Sequence, residues 1–210
     1  MKQLGKVLAK VINGLTYITG WIAGLCLVAA ALIVTEAVIV RKVFGVFSNK
    51  IKEIRKKTDR GTINLNTNGS LPDRVRRIAQ SGLDSIRISL NSARPDCYRA
   101  YYRPRGYDFE DVQASIALSR EMGLYTMINY LVFPGITDQE DELDALGELI
   151  KKTGINFLHL KNLCIDPQLY MAKMPHTGTT AMGMRNMMSF LKEEFPSVEL
   201  GYFNRPVIHS

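Results

Sequence analysis

The longest apolar run of the chain lies near its amino end. Residues 17–40 carry a single charge, Glu36, and the stretch 21–34 carries none. Because about 20 apolar helical residues span a bilayer core roughly 30 Å thick, this pattern predicts a membrane helix over residues 17–40. A cleavable signal peptide fits less well, since the run is long and no small-residue cleavage site precedes Arg41. A buried core helix is disfavoured by the same length.

From Asn49 onward, short apolar stretches alternate with amphipathic ones. The predicted strands are Thr62–Asn68, Asp84–Asn91, Tyr125–Val132, Ile155–Lys161 and Val198–Phe203. Predicted helices end at Lys57, run from a Ser70 cap to Gly82, from Asp108 to Met122, from a cap at Thr137 or Asp138 to Gly154, and over Thr180–Phe195. Alternation at this spacing is typical of right-handed βαβ units. We therefore predict an α/β fold built on a parallel sheet.

One face of these strands is unusually polar. A parallel sheet covered by helices on both sides is normally almost continuously apolar. The polar positions here are Asn64, Asn66, Asn68, Arg87, Ser89, Asn91, Asn129, His159 and Lys161. Unpaired buried polar groups cost about 1–3 kcal/mol each, so the set predicts a ligand, water or a polar channel at the carboxyl ends of the strands. For any single asparagine, loop capping or pairing with a neighbour is an equally good explanation.

The net charge of +7 is concentrated directly after the apolar run. The basic residues there are Lys50, Lys52, Arg55, Lys56, Lys57 and Arg60. Positive charge beside an apolar span marks its cytoplasmic side, so we expect a single-pass protein of the inner or cell membrane with a cytoplasmic carboxyl-terminal part. We expect no nucleic-acid partner, because no groove-reading or base-stacking module is found.

The amino-terminal segment resembles the first membrane helix of the small subunit of tripartite ATP-independent periplasmic (TRAP) transporters. Glu36 followed by the run Val40-Arg41-Lys42-Val43-Phe44-Gly45 carries that resemblance. It implies a lipid bilayer as partner through residues 17–40. It also implies the orientation opposite to the one that the charges favour, and the family's three further membrane helices are absent.

The rest of the chain resembles radical SAM enzymes in five motifs that occur in the family's order. They are TDRGTINLNTNGSLP, GLDSIRISLNSARPDCYRAYYRPRGYDFEDV, GLYTMINYLVFPGITDQEDE, NFLHLKNLCIDPQLY and FPSVELGYFNRP. The resemblance implies a partial parallel (β/α) barrel lacking its first two strands. It divides the chain into a membrane helix (1–48), a basic linker or helix remnant (49–60) and the partial barrel (61–210).

The same resemblance implies that the barrel binds S-adenosylmethionine. Ser89 and Asn91 are its candidate contacts for the ribose and amino-acid part, and Arg103 for the carboxylate, with Arg105 competing for that role. Asn129 is expected near the adenosine, and Asn66 and Asn68 in the same cavity. His159 and Lys161 are the candidate substrate contacts. A structural role is the alternative for His159, and a solvated loop arginine is the alternative for Arg103.

The family also uses a [4Fe-4S] cluster, whose ligands are missing from this sequence. A CxxxCxxC motif normally supplies three thiolates and leaves one iron open for the cofactor. The cysteines Cys26, Cys97 and Cys164 lie far apart and form no such motif. The Gly-Gly-Glu-Pro segment of the family is missing as well. We therefore expect no radical chemistry from this polypeptide alone.

Three alternatives to a radical SAM protein stay open at this point. The chain could be a membrane-anchored binding module, a fragment of a TRAP transporter small subunit, or the product of an artefactual fusion. The predicted strand Thr62–Asn68 would be an exposed sheet edge, which a partner chain or the basic segment 49–60 would have to cover.

Overall fold

The computed structural model describes residues 19, 21–23, 25–26, 45–175 and 180–201. The chain forms two compact units, Met1–Phe47 and Ser48–Ser210. The predicted membrane helix and the TRAP-like motif lie almost entirely outside the described residues. Among the residues that are described, none of the helices has the length and apolar character needed to cross a membrane.

Five strands of the described chain form one parallel sheet in the order β1-β2-β3-β4-β5. They are β1 (Asn64–Thr67), β2 (Ser85–Leu90), β3 (Tyr125–Val132), β4 (Phe157–Asn162) and β5 (Glu199–Gly201). Every neighbouring pair is parallel. The predicted α/β fold with a parallel sheet is therefore confirmed, and the bounds of β3 agree with the prediction. The strand β1 is shorter than predicted, so Asn68 lies beyond its end.

Helices connect the strands. They are α1 (residues 48–57 of the second unit), α2 (Pro72–Ala79), α3 (Pro95–Tyr102), α4 (Phe109–Glu121), α5 (Glu140–Thr153), α6 (Pro167–Met171) and α7 (Met184–Glu194). Helix α4 begins as predicted, because Asp108 and Asp111 form a reciprocal capping box at its amino end. Helix α5 ends as predicted at Gly154, which adopts the left-handed conformation with φ of 61°.

Two predicted helix caps are wrong. The residue before α2 is Leu71, which makes no side-chain cap bond, and the Ser70 hydroxyl instead donates to Oδ1 of Asn68 at 3.0 Å. Before α5, the residue at the cap position is Gln139, and the side chains of Thr137 and Asp138 instead accept hydrogen bonds within the preceding turn. The Phe133 N–H donates to Thr137 Oγ1 at 2.9 Å, and the Gly135 N–H donates to Asp138 Oδ1 at 2.6 Å. Short polar side chains close turns as readily as they cap helices, so the sequence pattern did not separate the two uses.

Helices α3 and α6 were not predicted. Each has eight residues or fewer and a proline in its first turn, so neither shows an apolar repeat long enough to recognise. Both contribute to a small apolar cluster in which Cys97, Ile136, Tyr170 and Met174 are buried. The rings of Tyr101 and Phe133 pack against Tyr170 with centroid distances of 5.8 and 5.0 Å. We call this group the α3–α6 cluster.

The main core lies on one side of the sheet. Ile86, Ile88, Ile128 and Leu158 have no exposed surface. Helix α4 packs here, since the Ser115 hydroxyl donates to the carbonyl of Gly69 at 2.6 Å. A Cβ atom at Gly69 would lie only 3.0 Å from Ile88 Cγ2. Because side chains alternate along a strand, the residues between these apolar ones lie on the opposite face of the sheet.

Helix α1 is held to the amino end of the sheet. Its Arg55 guanidinium pairs with the Asp84 carboxylate and donates to the carbonyl of Gly82 at 3.0 Å. Asp84 also accepts the Ile63 N–H, and Ile51 of the helix is buried. The basic segment thus contacts the loops before β1 and β2. Within the described part of the chain β1 pairs with β2 alone, as expected of an edge strand.

Candidate functional site

Three polar residues lie side by side across the middle of the sheet. Ser89 of β2 is the register partner of Asn129 of β3, and Asn129 is the partner of His159 of β4. Because register partners in a parallel sheet share a face, these side chains form one line, which we call the polar row. Ser89 and Asn129 are half-buried, and His159 is only 4% exposed. The structure therefore brings together three residues that the sequence separates by 70 positions.

A second line lies one step nearer the amino ends of the strands. Asn66 is the register partner of Arg87, which is the partner of Met127. The Arg87 guanidinium contacts the Met127 sulfur, with Nη2 and Sδ 3.7 Å apart. Burial lowers the pKa of Arg87. A half-buried cationic group therefore lies beside the polar row.

The amide oxygen of Asn129 is not satisfied by the described residues. Its Oδ1 atom is buried and accepts no hydrogen bond from the described residues. Leaving such an acceptor unpaired costs about 1–3 kcal/mol. A ligand that donates a hydrogen bond in the polar row would recover that cost.

Asn91 lies at the carboxyl end of β2 and is fully buried. Its Nδ2 donates to the carbonyl of Cys97 at 3.1 Å, which ties the strand end to the α3–α6 cluster. Asn68 lies in a turn, where its Oδ1 accepts from Ser70. The other predicted asparagine, Asn66, is exposed on the edge strand. Asn68 thus lies outside the strand with an internal hydrogen bond, whereas the buried Oδ1 of Asn91, like that of Asn129, accepts no hydrogen bond from the described residues.

The remaining predicted contacts are exposed cations. Lys161 lies on β4 two residues after His159, and is exposed. Arg103 follows α3 and adopts the left-handed conformation with φ of 48°. That conformation costs an L-residue about 1–2 kcal/mol, and strain of this kind often accompanies a function. Arg105, the competing candidate, is exposed but has no such backbone conformation.

Sequence reasoning missed Glu142, the most deeply buried acidic residue of the described chain. It is 0% exposed and accepts hydrogen bonds from the Ser92 hydroxyl, the Ala93 N–H at 2.6 Å and the Tyr130 hydroxyl at 2.6 Å. Burial raises its pKa, while these donors and Arg94 oppose the rise. The sequence does contain a signal for its burial. Glu142 lies one helical turn before the buried Leu146 and so belongs to the same inward-facing stripe of α5.

The cysteines do not fit an iron–sulfur cluster. Cys97 has no exposed surface, and burial raises the pKa of its thiol to about 11. It therefore stays a thiol at neutral pH, whereas a cluster needs thiolates. Cys164 is exposed and isolated. Within the described residues no group of three or more His, Cys, Asp or Glu side chains could hold a metal ion.

A cavity of about 420 Å³ lies apart from the polar row. It is lined mainly by apolar side chains of the strand ends and of α7, among them Val132, Leu160, Met184 and Met188. Val132 and Leu160 alternate with Asn129 and His159 along their strands and so belong to the opposite face. These strand side chains of the cavity thus lie on the face opposite the polar row, although Gly201, the register partner of His159, also lines it.

Comparison with known proteins gives a consistent family assignment. Residues 39–146 match the family model described as the Radical SAM superfamily, which is more than half of the chain. A GTP 3',8-cyclase of Petrotoga mobilis is 38% identical over 96 residues, covering 45% of this chain and 29% of that protein. A probable GTP 3',8-cyclase of Methanosarcina acetivorans is 31% identical over 113 residues, covering 51% and 33%. The chain thus spans about a third of the length of these curated relatives.

Two solved structures have a similar fold. The FeFe-hydrogenase maturase HydG of Carboxydothermus hydrogenoformans superposes with a TM-score of 0.54 at 16% identity, covering 79% of this chain and 40% of that one. A domain of the pyruvate-formate lyase-activating enzyme of Bacteroides vulgatus gives a TM-score of 0.52 at 9% identity, covering 73% and 86%. Identities this low support the fold alone.

Proposed function

The chain belongs to the radical SAM superfamily, and from that premise we propose that its sheet binds S-adenosylmethionine across the polar row. The observation that carries this proposal is the Asn129 amide, whose buried Oδ1 has no donor among the described residues. Adenosine offers amino and hydroxyl donors to such an acceptor. Ser89, its register partner, adds a hydroxyl that can donate or accept.

The charged end of the cofactor is assigned to the carboxyl ends of the strands. Arg103 follows α3 in a strained conformation and is exposed. A guanidinium binds a carboxylate through two parallel hydrogen bonds, which suits the methionyl carboxylate. The Asn91 Nδ2 is used internally, since it donates to the Cys97 carbonyl, while its buried Oδ1 has no donor among the described residues and stays a candidate contact at this end.

The substrate is proposed to be anionic. Arg87 and Lys161 lie on the same face as the polar row, one on each side of it along the strands. His159 completes the row itself. Two relatives are named as GTP 3',8-cyclases, so a purine nucleoside triphosphate is the first substrate to try. Cations beside a ligand face favour the binding of a polyphosphate.

The iron–sulfur cluster of the family is not assigned to residues of this chain. When bound, such a cluster supplies the electron that cleaves S-adenosylmethionine. The described cysteines cannot bind it as a set, because Cys97 is a buried thiol and Cys164 stands alone. The role proposed for the residues of this chain is to bind and orient S-adenosylmethionine, and no chemical step is assigned to them.

A titration of the purified full-length chain with S-adenosylmethionine by isothermal calorimetry tests the proposal. We expect one site per chain, and a loss of roughly tenfold in affinity for Asn129→Ala, since leaving a donor of the ligand buried and unpaired costs about 1–3 kcal/mol. Asn64→Ala is the matched control, because Asn64 is an exposed asparagine at the amino end of β1. Absence of binding to wild type, or equal losses in both variants, would overturn the proposal.

A second candidate is a nucleoside-binding module that carries out no radical chemistry. The buried Cys97 thiol favours it, since an accessible thiolate set is missing. Anaerobic reconstitution with iron and sulfide separates the two candidates. A stoichiometric cluster together with release of 5′-deoxyadenosine would support the radical enzyme. Nucleoside binding without bound iron would support the module.

A further inference from the structure

The buried carboxylate of Glu142 has no part in the proposed ligand contacts, yet it joins three segments of the chain. Its Oε1 accepts from the Ala93 N–H and the Tyr130 hydroxyl, each at 2.6 Å, and its Oε2 accepts from the Ser92 hydroxyl. Glu142 itself lies in the first turn of α5. A buried carboxylate is costly unless it is fully hydrogen-bonded, so these donors make its position stable and specific.

A second contact joins the loop after β2, residues 91–94, to the first turn of α5. Arg94 Nη1 lies 2.6 Å from Asp141 Oδ2, and Asp141 precedes Glu142 in the sequence. The Arg94 N–H also donates to the Ser92 hydroxyl at 3.0 Å. Residues 92–94 are therefore bonded, one after another, to the start of α5.

This loop connects two residues that the proposed ligand would contact. It begins two residues after Ser89 of the polar row and leads directly into α3 at Pro95. Arg103 in turn directly follows helix α3. Any displacement of residues 91–94 would therefore change the separation between the Ser89 hydroxyl and the Arg103 guanidinium.

We propose that Glu142 is a positioning residue that holds the loop 91–94 so that Ser89 and Arg103 can contact one ligand. This inference rests on the proposed binding of S-adenosylmethionine. Glu142 acts through Ser92 and Ala93 and does not touch the ligand. Tyr130 bonds to the same carboxylate from the apolar face of β3, so its hydroxyl contributes to stability without holding the loop.

The chain offers a matched set of variants. Glu142→Gln keeps the shape of the side chain but presents an amide NH₂ to groups that are themselves donors. Ser92→Ala removes one loop bond and leaves the carboxylate in place, which keeps the test informative if Glu142→Gln fails to fold. Tyr130→Phe is the control, because it removes a bond to Glu142 of the same length as the Ala93 bond and leaves both loop contacts.

Two measurements on the full-length chain decide the proposal. Hydrogen exchange should show faster exchange of the Ala93 amide in Glu142→Gln than in Tyr130→Phe, after correction for global stability. Calorimetry with S-adenosylmethionine should show affinity reduced roughly tenfold or more in Glu142→Gln and less in Ser92→Ala, because small displacements of a binding group are costly. Tyr130→Phe should bind like wild type.

Each contrary result has a distinct meaning. Equal affinity losses in Glu142→Gln and Tyr130→Phe would reduce Glu142 to a stabilising residue and overturn the proposal. Unchanged affinity in Glu142→Gln, together with faster Ala93 exchange, would overturn it as well. If wild type binds no S-adenosylmethionine, the proposed function fails, and the exchange measurement still decides whether Glu142 holds the loop.

Discussion

Asn129 and His159 are register partners on neighbouring parallel strands, 30 positions apart in the sequence. The pairing places an amide with an unsatisfied buried oxygen beside a buried imidazole. A sheet that served only as a scaffold would gain by filling these positions with apolar side chains, as on its opposite face. The retained polarity is the reason to regard this face as a ligand site.

Replacing Asn129 with leucine should affect stability and binding in opposite directions. Asn129→Leu removes a buried acceptor that lacks a partner, so we expect the free energy of unfolding to rise by about 1 kcal/mol. The same change should abolish binding of S-adenosylmethionine. Urea denaturation and calorimetry on one preparation measure both effects. A variant that is less stable than wild type would show that the Oδ1 atom is satisfied in solution.

Arg103→Gly should also separate stability from binding. Glycine adopts the left-handed conformation at a helix end without strain, so we expect a gain of roughly 0.5–1 kcal/mol in unfolding free energy. Loss of the guanidinium should weaken S-adenosylmethionine binding. Arg105→Gly is the control, since Arg105 is exposed and free of that backbone strain. If calorimetry showed a larger loss of affinity for Arg105→Gly than for Arg103→Gly, the carboxylate contact would be assigned to Arg105 instead.

Two glycines with similar backbone angles should differ in their tolerance of alanine. Gly69 has φ of 70° and Gly154 has φ of 61°, so Gly→Ala costs about 1–2 kcal/mol at each. At Gly69 the new methyl group would also lie 3.0 Å from Ile88 Cγ2, whereas nothing lies within 4 Å at Gly154. Thermal denaturation should therefore show the larger loss for Gly69→Ala. Equal losses would mean that Ile88 moves aside without cost.

The stability of the protein should carry a pH dependence that originates at Glu142. Burial raises the pKa of Glu142 above its usual value of 4.5, against the opposing influence of Arg94 and the hydroxyls of Ser92 and Tyr130. At pH values between the pKa of Glu142 in the unfolded state and its raised pKa in the folded state, the native protein retains a proton that the unfolded protein has lost. The Glu142 contribution is therefore fully present below pH 4.5 and is lost as the pH rises through the folded pKa.

Denaturation of wild type and Glu142→Gln across pH 4 to 8 measures that contribution. The glutamine variant cannot titrate at this position, so the stability difference between the two proteins should decrease with rising pH. A difference that increases with pH would show that the three donors and Arg94 outweigh burial and lower the pKa of Glu142.

Local sequence patterns determined much of the secondary structure. The alternation in β2 reflects a strand with two different faces, and the Asp108 capping box marked the start of α4. These features depend on neighbours within a few residues, so the sequence displays them directly. The capping errors at Ser70 and at Thr137 or Asp138 have the same origin, because a short polar side chain can satisfy a turn or a helix start equally well.

The sequence by itself therefore determined which residues of each strand are polar and which family the motifs resemble. Only the tertiary structure decided which of those residues meet. The register of the parallel strands placed Ser89, Asn129 and His159 in one row, while Asn68 and the Nδ2 of Asn91 received partners of their own. The burial of Glu142 was decided in the same way. Its donors lie 12 to 50 positions away, and contacts over such separations depend on how the elements pack rather than on any local pattern.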